Sequence, residues 1–208
     1  MPQNMLKNIK WLGHSGFAIN AHDTIIVIDP FQIKEVVPAD IILITHSHYD
    51  HCSIEDIDKT IKPDTVIVTE AESAKKLSGD VRVVKPGDKI NVSGIDIEAV
   101  EAYNTNKAFH PKTNGWLGFI ITIDGIRIYH AGDTDLIPEM DKFAVDIALL
   151  PVSGTYVMTA EEAVEAAKRL KPEIAIPMHF DSIVGSKEDA INFKKSLEGI
   201  CEVVIISQ

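Results

Sequence analysis

Ile41-Ile42-Leu43-Ile44-Thr45-His46-Ser47-His48-Tyr49-Asp50-His51 decides how the rest of the chain is read. Four aliphatic residues in a row, three of them β-branched, predict a buried strand over 41–44. That strand delivers three histidines and an aspartate into the loop at its end. Three imidazoles and a carboxylate so close together are awkward in a core and wasteful on a surface. Their nitrogen and oxygen donors suit Zn, Mn or Fe. Ser53 follows, and its hydroxyl can cap a helix that stops before Pro63.

Outward from this segment the pattern repeats. Short apolar runs predict strands at 6–11, 16–20, 24–28, 66–69, 81–84, 95–100, 118–123, 126–130, 146–150, 174–176 and 203–206. Asp124-Gly125 sits between two of them and predicts a tight hairpin, because both positions accept positive φ. Thr159-Ala160-Glu161-Glu162 is a capping box that opens a helix to about Leu170, closed by Lys171-Pro172. Further helices are expected over 187–197 and 70–78. No low-complexity linker divides the chain, so residues 1–208 are expected to form one domain. Two sheets packed on each other and flanked by helices would use this many strands.

Two other strand ends offer donors. Asp133 lies in Gly132-Asp133-Thr134 after the run ending at His130, and His179 follows Ile174-Ala175-Ile176-Pro177-Met178. Either residue alone could be a turn residue. Several strand ends that each carry a donor can build one coordination sphere.

Charge and composition narrow the classes. The chain has 20 Lys+Arg against 31 Asp+Glu, a net charge of −11, which disfavours a general nucleic-acid groove. Cys52 and Cys201 are far apart, so neither a disulfide framework nor a thiolate zinc site is expected. The apolar runs are too short to span a membrane and the first ten residues carry no signal core, so a cytoplasmic location is expected.

His46-x-His48-x-Asp50-His51 resembles the signature of the metallo-β-lactamase superfamily. The resemblance runs through most of the chain. Asp29 in Val27-Ile28-Asp29-Pro30, His110 in Phe109-His110-Pro111, Gly132-Asp133-Thr134 and His179 match its other motifs in order. Trp11-Leu12-Gly13-His14-Ser15-Gly16-Phe17 and the Tyr49-Asp50-His51 ending are similar to a branch of small metal-dependent hydrolases. That branch resembles L-ascorbate-6-phosphate lactonase and N-acyl-phosphatidylethanolamine phospholipase D.

The resemblance implies an α+β fold, a four-layer αβ/βα sandwich, with two divalent metal ions at one edge of the sheets. His46, His48 and His110 would bind the first ion. Asp50, His51 and His179 would bind the second, and Asp133 would bridge them. Asp29 would orient the histidine-rich loop. Asp50 is expected to take part in proton transfer. His14 is expected either to face the site or to satisfy a local hydrogen bond. Zn or Mn is the expected metal, and Fe is compatible with the same donors. Two divalent ions outweigh the two aspartates, which makes a local anion site inside an acidic chain. The implied function is metal-dependent hydrolysis of a small anionic substrate, a phosphodiester first and a sugar-phosphate lactone second. A nuclease and a non-enzymatic metal-binding module are the competing readings.

Overall fold

A computed structural model of the chain describes residues 1–207. Among the described residues, thirteen strands form two sheets. The first holds β1 (Ile9–Gly13), β2 (Gly16–Ala21), β3 (Thr24–Ile28), β4 (Ala39–Ile44), β5 (Ile61–Thr69) and β6 (Asp80–Val83) in sequence order across the sheet. The second holds β7 (Lys89–Val92), β8 (Ile95–Glu101), β9 (Leu117–Ile123), β10 (Ile126–His130), β11 (Ile147–Pro151), β12 (Ile174–Met178) and β13 (Glu202–Val203). In the first sheet β1 to β3 are antiparallel and β3 to β6 are parallel. The second sheet makes the same change at β10, parallel from there to β13.

Alternation within β3, β4 and β5 sets the layers. Ile26, Ile28, Ile41, Leu43, Val66 and Val68 face the core shared with the second sheet. Val27, Ile42, Ile44 and Ile67 face the other way, into a second cluster with Ile57 of helix α2 (Ile54–Thr60). Parallel strands covered on both faces read as unbroken apolar runs, which is why Ile41–Ile44 shows no polar alternation. On the outer face of the second sheet lie α4 (Ala160–Leu170) and α5 (Lys187–Ser196). Helix, sheet, sheet, helix is the four-layer sandwich expected from the resemblance.

Several boundaries differ from expectation. Pro2–Leu6 forms a short helix, α1, so the first strand starts at Ile9 rather than residue 6. Pro63 does not simply end a helix. Strand β5 already starts at Ile61 and passes through Pro63, at a register irregularity between Ala39 and Ile41 that frees Pro63 from ladder donation. The helix expected over 70–78 is only α3, Ala71–Ala74, and β13 is shorter than 203–206. Strand β7 was not expected. It pairs with β8 around Ser93 and Gly94, both at positive φ. Asp124 and Gly125 adopt φ of 52° and 77°, the hairpin turn read from their sequence. No helix among the described residues is long and apolar enough to cross a membrane.

Candidate metal centre

The donors sit where strands end. His14 follows β1, Asp29 follows β3, His46 to His51 follow β4, Asp133 follows β10 and His179 follows β12. His110 lies in the loop between β8 and β9. These ends share one edge of the sandwich, and the structure brings together all nine residues singled out in the sequence, His14 and Asp29 included. One atom from each of His46, His48 and His110 lies within 4.8 Å of the others. The same holds for His14, Asp50, His51 and His179, and for His46, His51 and Asp133.

Asp133 occupies the middle. Its Oδ1 is 3.3 Å from His51 Nε2, and its Oδ2 is 3.2 Å from His110 Nε2 and 3.3 Å from His179 Nε2. None of these contacts has hydrogen-bond geometry. His51 Nε2, His110 Nε2, His179 Nε2 and Asp133 Oδ1 are buried without a hydrogen-bond partner among the described residues. Four such atoms aimed at one place would each cost about 1–3 kcal/mol if nothing met them. Metal ions held between these donors would meet all four, so the set fits a metal centre.

The outward nitrogens are held by oxygen partners. His51 Nδ1 donates to Asp29 Oδ2 at 2.8 Å. Thr45 Oγ1 donates to the same oxygen at 2.6 Å, so its lone pair receives His46 Nδ1–H at 3.0 Å. Asn104 Oδ1 accepts from the backbone N–H of His110 and from His110 Nδ1–H. His179 Nδ1 lies 2.9 Å from Ser153 Oγ. Fixing the outer nitrogen as N–H leaves the inner one as a bare lone pair, the form that ligates. Burial first, and then the neighbouring imidazoles, hold His46 and His48 below the usual histidine range. Burial would raise the Asp133 carboxyl, but the neighbouring His179 and His51 rings outweigh it and hold it well below the carboxylate range.

Backbone strain marks the same edge. His14, Asp29 and His179 adopt φ of 50°, 42° and 58°, a region that L side chains rarely use. The His14 carbonyl accepts from Trp11 Nε1 and from the His179 backbone, which locks that conformation. His14 Nε2 lies 3.1 Å from Asp50 Oδ2, so His14 faces the cluster. His130 does not. Its Nε2 donates to Ser15 O and its Nδ1 accepts from Gly132 N–H.

Sequence reading missed Thr45, Asn104, Ser153 and Trp116. Trp116 packs its ring against His46, His48 and His110 at 4.7 to 5.4 Å between centroids. Nothing in the sequence separates these from ordinary loop residues, because their role lies in what they touch. Tyr103 packs away from the centre, donating to Glu139 at 2.9 Å. We expect Asn104→Ala to weaken metal binding about 10–100-fold. Competition against a chromophoric chelator would measure this, and unchanged affinity would remove Asn104 from the support of His110.

Comparison with known proteins identifies the family and the fold. A family model described as a beta-lactamase superfamily domain matches residues 8–179. A UPF0173 metal-dependent hydrolase from Methanoculleus marisnigri is 34% identical, over 91% of this chain and 88% of its own. Among solved structures, a candidate metal-dependent hydrolase from Parabacteroides distasonis superposes with a TM-score of 0.85 at 37% identity, covering 95% of this chain and 91% of that one. Igni18, a metallo hydrolase from Ignicoccus hospitalis, superposes at 0.80 with 27% identity, covering 96% and 94%.

Proposed function

The chain belongs to the metallo-β-lactamase superfamily, and from that premise we propose that it is a metal-dependent hydrolase with two divalent ions, Zn or Mn, acting on a small anionic substrate, foremost a phosphodiester. The observation that carries this reading is the convergence of unpartnered Nε2 atoms from His51, His110 and His179 on the Asp133 carboxylate. His46, His48 and His110 would hold one ion, Asp50, His51 and His179 the other, with Asp133 between them. When bound, such ions lower the pKa of water toward ~7 and polarise the scissile phosphoryl or carbonyl oxygen.

The chain supplies the rest. Asp29 fixes two elements of the site through one carboxylate, the Thr45 backbone by Oδ1 and the His51 ring by Oδ2. His14 Nε2–H donates to Asp50 Oδ2 and sets its orientation. Asp50 is half-buried at the mouth, where its carboxylate can take a proton from the attacking water. Burial would raise the Asp50 carboxyl, but the His14 hydrogen bond and the neighbouring His51 ring hold it below the usual carboxylate range. No serine or cysteine nucleophile is needed.

The test is turnover by the metal-loaded protein of bis-p-nitrophenyl phosphate and, in parallel, of a sugar-phosphate lactone. We expect the diester to be hydrolysed, chelation to stop it and Zn or Mn to restore it. Hydrolysis of the lactone alone would move the substrate class to lactones. Metal-loaded protein inert toward both would overturn the assignment.

A further inference from the structure

Asp135 lies two residues beyond Asp133 and is fully buried. One short stretch of chain wraps its carboxylate. Oδ1 accepts from Asn104 Nδ2 at 3.1 Å and from Lys107 Nζ at 2.6 Å. Oδ2 accepts from the backbone N–H of Thr105 at 2.8 Å and of Asn106 at 3.4 Å. The Asp135 backbone N–H in turn donates to Tyr103 O at 2.9 Å. The segment after β10 and the loop after β8 are therefore joined directly behind the metal centre. A buried carboxylate–ammonium pair gives little net stability, because both charges must leave water. What this pair does supply is a fixed geometry for the loop that carries Asn104 and His110.

Asn104 passes that geometry to His110. A side-chain amide has an accepting end and a donating end, and its partners decide which faces where. The Asp135 carboxylate, paired with the Lys107 ammonium, can only accept, and so can the Tyr156 carbonyl, 2.9 Å from Asn104 Nδ2. The His110 backbone N–H, 2.9 Å from Asn104 Oδ1, can only donate. The amide is thus fixed with Oδ1 toward His110, and His110 Nδ1 lies 3.2 Å from it. An amide oxygen offers only lone pairs, so the His110 proton belongs on Nδ1. Nε2 is left bare, 3.2 Å from Asp133 Oδ2. We propose that Asp135 is a positioning residue of the metal centre: it holds Asn104 in the orientation that keeps the His110 proton on Nδ1 and leaves Nε2 for the first ion. The proposal rests on the hydrolase reading, which gives His110 to that ion. Asp133 then serves the centre as a ligand, and Asp135 serves it through a histidine on a different loop.

Imidazole N–H exchange with water, followed by NMR on the zinc-loaded chain, tests this without turnover. A ring N–H held by a fixed acceptor exchanges slowly, and His46, His51 and His110 each have one through Nδ1. Asp135→Asn keeps the shape and removes the charge. It should speed exchange at His110 about tenfold, the loss of one fixed hydrogen bond, and leave His46 and His51 as in the parent. Zinc affinity at one of the two sites should fall about tenfold as well, the lower end for a group that acts through a ligand. Because Asp135→Asn strands the Lys107 ammonium, the double variant Lys107→Met with Asp135→Asn is measured beside it, and the two should behave alike. Unfolding temperatures show that the variants are folded. Exchange at His110 unchanged in either folded variant would overturn the proposal. Equal acceleration at all three histidines, or loss of folding in both variants, would make Asp135 a merely structural residue and overturn it too. Each of these failures leaves the hydrolase reading standing. A parent chain that binds no zinc would overturn that reading and the proposal with it.

Discussion

Asp133→Ala will abolish turnover, by about 10³-fold or more, and lower the metal content of the purified protein. Among the described residues, Asp133 is the one carboxylate within 3.3 Å of three imidazole nitrogens. Alanine removes its charge and both oxygens, leaving His51, His110 and His179 facing a gap. Divalent ions would then meet only neutral nitrogen on that side. Asp133→Asn sharpens the test, because it keeps the shape and removes the charge. It should lose metal nearly as far. Elemental analysis and the diester assay on both variants check the prediction, with thermal unfolding as the control for folding. Two ions per chain and activity within tenfold of the parent in both variants would remove Asp133 from the centre.

The second large effect belongs to its neighbour. Gly132 has φ of 63°, and a Cβ there would lie 2.4 Å from the Leu117 carbonyl oxygen. That oxygen cannot easily retreat. Leu117 begins β9, and its N–H is bonded to the Thr45 carbonyl, just ahead of His46. Gly132→Ala therefore meets both a left-handed backbone and a fixed backbone atom. We expect a loss of about 3 kcal/mol or more. For a chain of this size that is a fall in unfolding temperature of about 6–12 °C. Metal affinity should fall with it, because relieving the clash moves either Asp133 or the strand that braces the His46 loop. An unfolding temperature within about 2 °C of the parent would show that β9 yields more readily than its hydrogen bonds suggest.

Strands and metal donors are more legible in the sequence than the groups that support them. Strands such as Thr24–Ile28 and Ile41–Ile44 were legible because burial on both faces demands continuous aliphatic residues, and few other contexts do. The donors were legible because His46, His48, Asp50 and His51 crowd one loop, and because Asp133 and His179 each follow an apolar run. Strand β7 was not legible, since Lys89 and Asn91 alternate with Ile90 and Val92 at an edge where half the residues face water. The supports of the centre were hidden for another reason. Asn104, Ser153 and Thr45 are common loop residues, and each meets its histidine through hydrogen bonds that no spacing encodes. Asp135 meets Asn104 only because the fold lays the segment after β10 against the loop after β8.

Metal stoichiometry tests whether these residues form a two-ion centre. Protein purified without added metal, then stripped and reloaded with Zn or Mn, would be measured by elemental analysis and titration. We expect two ions per chain, both lost on chelation and both recovered on reloading. A chain that stays folded yet takes up no divalent ion after reloading would contradict that expectation, and the convergence of His46, His48, Asp50, His51, His110, Asp133 and His179 would need another explanation.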